Sequence, residues 1–152
     1  SADWGTGEPA PIPLSQSDIK SALNTLMNQR YQDAKKAGEN GEFEHAEILL
    51  KSICSDFRTL VERSIENDLL CGVVQRFQRP VHTLKLKDLA KLKDADCNLL
   101  DSLMTKYSGF EHSQPTESPV GLPKPDDLLA DMSSLKNWRE EYAKRPASAV
   151  AG

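Results

Sequence analysis

From Glu42 to Cys71 the chain carries neither a proline nor a glycine. Within that stretch Phe43, Ala46, Leu50, Ile53, Phe57, Leu60 and Ser64 follow one another by three or four residues. This is the period of one face of an α-helix. Leu49, Cys54, Val61 and Ile65 widen the stripe. The spacing predicts one long amphipathic helix over about 42–70, roughly 42 Å long at 1.5 Å per residue. Phe43, Leu50, Ile53, Phe57 and Leu60 are expected on its buried face. A helix of that length cannot bury its stripe alone, so the rest of the chain has to supply the other walls of a core.

The flanking sequence does so with more helices. Ser15 or Ser17 is a suitable N-cap for a first helix carrying Ile19, Leu23, Leu26, Met27 and Ala34. Gly38 and the Asn40–Gly41 pair stop it and turn it back as a helical hairpin. Beyond Pro80, Val81–Leu86 reads as an extended connection, and Asp88–Leu92 as a short helical turn. Asp94 caps a further helix holding Cys97, Leu99, Leu100, Leu103 and Met104, with Gly109 at its end. Prolines 115, 119, 123 and 125 make residues 113–125 a loop. Pro125 then starts a last helix through Lys144, with Leu128, Leu129, Met132, Leu135, Trp138 and Tyr142 on one face. Trp138 and Tyr142 are expected to pack. The fold class is all-α: an irregular bundle of about four main helices over 15–145, with a flexible arm at 1–14, rich in glycine and proline, and a tail at 146–152.

The 152 residues suffice for one core. No apolar run approaches the ~20 residues of a membrane span. Cys54, Cys71 and Cys97 form an odd, widely spaced set without a C-x-x-C pair, which points to reduced thiols in a cytoplasmic protein and away from structural zinc. Cys54 lies in the apolar stripe and is expected in the core, and His45 is expected on the surface. Ser1-Ala2-Asp3-Trp4 has neither the basic nor the apolar part of a signal peptide. It also lacks an initiating methionine, so a piece of a longer protein is one reading of the chain. Phosphate-loop, dinucleotide-binding, H-E-x-x-H and G-x-S-x-G patterns are absent. No metal or cofactor is expected.

The formal net charge is −4, yet its sign alternates along the chain. Glu39, Glu42, Glu44, Glu47, Asp56, Glu62, Glu66 and Asp68 face only Lys51, Arg58 and Arg63 between residues 39 and 70. From 73 to 93 the balance reverses: Arg76, Arg79, Lys85, Lys87, Lys91 and Lys93 stand against Asp88 alone. Arg76, Arg79, Lys85 and Lys87 can face a phosphate backbone. Docking on the acidic helix or plain solvation are the competing readings.

Arg58 and Glu62 are i and i+4 and share a helix face. His112 follows in Tyr107-Ser108-Gly109-Phe110-Glu111-His112. An imidazole can move a proton at neutral pH, a guanidinium can hold a scissile phosphate, and a carboxylate can orient either or act as a base. Together they can cleave RNA without a metal. The plain alternative is an ordinary surface ion pair and a loop histidine.

The stretch from Glu44 to Pro115, and above all Asp68-Leu69-Leu70-Cys71-Gly72-Val73-Val74-Gln75-Arg76-Phe77, resembles the C-terminal region of large bacterial AAA-family ATPases with SMC-like heads. These are similar in organisation to the anticodon nucleases of phage defence, which carry an HEPN-like helical ribonuclease domain. The resemblance implies an Arg-x-x-x-Glu on one helix and a histidine further on. Arg58-Thr59-Leu60-Val61-Glu62 matches the first part and His112 the second, with His82 in reserve. It also implies an AAA-family ATPase domain or subunit as partner, tRNA as substrate, and a homodimer. Two features depart from the family pattern: 50 residues separate Glu62 from His112, and Arg76 and His82 have the shorter HEPN spacing only across Pro80. A non-enzymatic docking or assembly module for an ATPase or partner subunit is the competing function.

Overall fold

The structure, a computed structural model, describes residues 18–69, 91–111 and 121–146. All regular structure among them is helical. Asp18 opens the first helix: its carboxylate accepts from the Ser21 backbone N–H at 3.1 Å, so the cap is Asp18 and not Ser15 or Ser17. The helix runs as α1 (Ile19–Thr25), a π-helical turn (Leu26–Arg30) and α2 (Tyr31–Glu39) without a break. In the π turn the Tyr31 N–H reaches back five residues to the Leu26 carbonyl. That extra residue matters for packing. Leu26 and Tyr31, five apart, are 1% and 2% exposed, where unbroken α geometry sets such positions on different faces.

The first helix ends in a Schellman turn. The Glu42 N–H bonds the Ala37 carbonyl at 2.9 Å and the Gly41 N–H bonds the Gly38 carbonyl at 3.1 Å. Gly41 has φ 81°, the left-handed region where a side chain is strained. Gly38, expected to stop the helix, lies inside it.

α3 (Phe43–Ser64) returns against α2, and a second π turn (Ile65–Leu69) extends it. The expected long helix is therefore present as far as the described residues go. α4 (Asp94–Glu111) packs on α3, and α5 (Pro125–Lys144) crosses α1, α2 and α3. Pro125 sits in the first turn of α5, as its fixed φ favours. Gly109 does not end α4, which continues through Glu111. Residues 121–124 are non-helical, and Leu92 is not in a helix. The expected elements at 81–86 and 88–90 lie outside the described residues, as do most of the loop at 113–120, the arm and most of the tail.

Ile53, Cys54, Phe57, Leu60 and Val61 of α3 meet Leu100, Leu103 and Tyr107 of α4 and Leu128, Met132, Leu135, Trp138 and Tyr142 of α5 in one core. Phe57 and Tyr107 touch edge to face, with ring centroids 4.8 Å apart. Such a pair adds about 0.5–1.5 kcal/mol beyond burial. Trp138 and Tyr142 stack with centroids 5.0 Å apart, so both pack as expected. Phe43 does not: it is 73% exposed, and Leu50 is only half-buried. The N-terminal turns of α3 form the tip of the hairpin, where Ala46 is the first buried position of the stripe.

Candidate functional site

Arg58 and Glu62 leave the core face of α3 one turn apart. Their side chains are 25% and 49% exposed, with nitrogen and oxygen 3.6 Å apart. An exposed pair of this kind contributes only about 0.3–0.5 kcal/mol to helix stability. A second bond gives the guanidinium a direction: Arg58 Nε donates to Ser108 Oγ at 3.1 Å. Ser108 lies near the end of α4, which is set against α3 by the neighbouring Phe57–Tyr107 contact. The core pair and the polar pair are adjacent in both helices, so packing Phe57 on Tyr107 carries Arg58 to Ser108.

His112 is the residue after α4 and lies outside the described residues, as do His82, Arg76, Arg79, Lys85 and Lys87. The structure thus joins Arg58 to Glu62 and to the last turns of α4. Ser108 was not among the residues singled out from sequence. Its one signal there was its position four residues before His112.

Two further polar clusters hold α5 in place. Tyr107, fully buried, donates its hydroxyl to Asp131 Oδ2 at 2.6 Å, and Lys106 Nζ reaches the same oxygen at 2.6 Å. Burial, and then the bond to Asp131, push the Tyr107 phenol well above its ordinary range. Cys54, buried in the same core, has its thiol pushed up to about 11 by burial, with Lys106 opposing. That makes it a core thiol rather than a nucleophile.

The second cluster centres on Asp96 in the first turn of α4. Its Oδ2 accepts the Lys93 backbone N–H at 2.7 Å, capping the helix from inside. Asp94, the expected cap, is exposed in that first turn. Asp96 also accepts from Trp138 Nε1 at 3.0 Å and from both terminal nitrogens of Arg145, at 2.7 and 3.0 Å. Arg145 donates in addition to the Lys91 carbonyl at 2.7 Å and to Glu141 at 2.6 Å. Lys91 Nζ lies 4.5 Å from the centroid of the Tyr142 ring. Burial alone would raise the Asp96 carboxyl. The bonds from Arg145, Lys93 and Trp138 outweigh it and hold the group at about 2. This clasp fixes the chain at Lys91–Lys93, the end of the basic run at 73–93.

Among the described residues no three His, Cys, Asp or Glu side chains gather as metal ligands, and no helix is long and apolar enough to cross a membrane. Comparisons with protein-family models, with characterised proteins and with solved structures find no match.

Proposed function

We propose that the chain is an HEPN-like, metal-independent endoribonuclease acting on tRNA-like RNA, as the effector or C-terminal domain of a defence-type AAA ATPase system. The observation that carries this reading is the bond from Arg58 to Ser108. It joins the Arg58–Glu62 pair to the end of the helix that His112 follows in sequence. The basic run at 73–93, which follows the acidic helix in sequence, supplies charge suited to phosphate.

In this reading Arg58 holds a non-bridging oxygen of the scissile phosphate and stabilises the charge that grows on it. Glu62 takes the proton of the ribose 2′-hydroxyl. The 2′-oxygen forms a bond to phosphorus while the bond from phosphorus to the 5′-oxygen breaks. His112 gives the leaving 5′-oxygen its proton. The products are a 2′,3′-cyclic phosphate and a 5′-hydroxyl. Arg76, Arg79, Lys85 and Lys87 bind the backbone on either side, and a homodimer supported by an AAA-family ATPase partner completes the assembly.

The test is cleavage of tRNA by Arg58→Ala and Glu62→Gln variants whose helical content and unfolding midpoint match the parent chain. Each is expected to lose cleavage by at least ~10²-fold. Cleavage at the parent rate in both variants would overturn the reading and favour a docking module without catalysis.

A further inference from the structure

Three hydroxyls in these helices bond their own backbone. Ser64 Oγ donates to the Leu60 carbonyl at 2.8 Å, Ser102 Oγ to the Leu99 carbonyl at 2.8 Å, and Thr59 Oγ1 to the Ser55 carbonyl at 3.3 Å. Ser108 is placed otherwise. It is half-buried, and its Oγ accepts the Nε–H of Arg58 from another helix at 3.1 Å. Arg30 and Arg145 also cross between helices, and each meets a carboxylate: Arg30 bonds Asp56, and Arg145 bonds Asp96 at 2.7 and 3.0 Å. There the guanidinium charge is matched by its hydrogen-bond acceptor. The Nε of Arg58 instead bonds a neutral hydroxyl, and Glu62 Oε2 stands 3.6 Å from Nη1, beyond hydrogen-bond length. The Ser108 bond therefore orients the guanidinium without matching its charge.

The bonded atom decides what the contact can do. A guanidinium is planar, so a bond at Nε fixes the plane and aims both terminal nitrogens. Lysine has no counterpart to Nε–H. Ser108 is itself held in place. Its neighbour Tyr107 packs edge to face on Phe57 of α3 and donates its hydroxyl to Asp131 of α5 at 2.6 Å. We infer that Ser108 is the positioning residue of this site: it aims the terminal nitrogens of Arg58 at the scissile phosphate, on the side of Glu62, and makes arginine rather than lysine obligatory at position 58. The bond itself is independent of the nuclease reading; its part in cleavage rests on that reading.

Two measurements on the full chain test this. One is hydrogen exchange of the Arg58 Nε–H by NMR, assigned by its loss in Arg58→Lys. The other is kcat and KM for tRNA cleavage. Ser108→Ala is expected to speed that exchange and to lower kcat, each at least ~10-fold, with KM unchanged. Ser108→Thr keeps the acceptor and is expected to restore both. Arg58→Lys is expected to lower kcat, and adding Ser108→Ala to it to lower kcat no further, since lysine offers no Nε–H to hold. Ser102→Ala removes the same atom from an exposed position of α4 and is expected to change neither readout. Helical content and unfolding midpoints equal to the parent's qualify each variant. Unchanged exchange in Ser108→Ala, additive losses in the double variant, or unchanged kcat in Ser108→Ala while Arg58→Ala abolishes cleavage, would overturn the positioning role and leave the nuclease reading standing. Absence of cleavage by the parent chain, or cleavage at the parent rate in Arg58→Ala, would overturn both.

Discussion

Asp96 in the first turn of α4 and Arg145 just past the end of α5 meet through two charge-assisted bonds, at 2.7 and 3.0 Å. Their side chains are 3% and 8% exposed. Breaking such a pair from one side leaves a charge without its partner in a desolvated site. Arg145→Met should therefore cost about 3 kcal/mol in chemical denaturation.

The same pair sets a pH dependence. The folded Asp96 carboxyl titrates at about 2, below the ~3.9 of an unfolded aspartate. The stability it lends is fully present above about pH 4 and is lost as pH falls towards 2. Asp96→Asn should remove that component, on the order of 2–3 kcal/mol. The midpoints of parent and variant should then converge between pH 4 and 2. A constant gap over that range would contradict the assignment.

Ile53 and Phe43 lie on one predicted stripe but meet different surroundings, 0% and 73% exposed. Ile53→Ala should destabilise by ~2–5 kcal/mol. Phe43→Ala should shift stability by less than ~0.5 kcal/mol, as a surface change. Equal losses in the two variants would show that the hairpin tip is covered in solution.

The contrast also marks how far local pattern reaches. Helix type and the turn at Asn40–Gly41 follow from period and from single residues, so they were legible; the Schellman bonds of that turn were not. Whether Phe43 is covered depends on where neighbouring helices stop, which no period states. Tyr31 fell outside the α-helical stripe because a π turn shifts the register after Leu26. The Asp96–Arg145 and Arg58–Ser108 bonds join residues 49 and 50 positions apart. Neither has a local signature. The Arg58–Glu62 pair was legible because its spacing is itself helical.

Cys97 is exposed and Cys54 is buried, with its thiol held at about 11. Thiol alkylation of the native chain near neutral pH should label Cys97, and label Cys54 only after denaturation. Peptide mass mapping separates the two. Prompt native labelling of Cys54 would contradict the packing of Phe57, Tyr107 and Cys54 in one core.

If Arg76, Arg79, Lys85 and Lys87 bind RNA, tRNA affinity should fall steeply with salt. Each Ala substitution that removes a phosphate contact should reduce the slope of log K against log salt by about 1. Affinity without salt dependence would assign the basic run to a protein partner.

The most direct test is tRNA cleavage in excess EDTA by the parent chain and by His112→Ala, with product ends analysed. The expected result is EDTA-resistant cleavage leaving 2′,3′-cyclic phosphate and 5′-hydroxyl ends, reduced ~10²–10⁴-fold in His112→Ala. Cleavage that stops in EDTA, or that His112→Ala leaves unchanged, would contradict it.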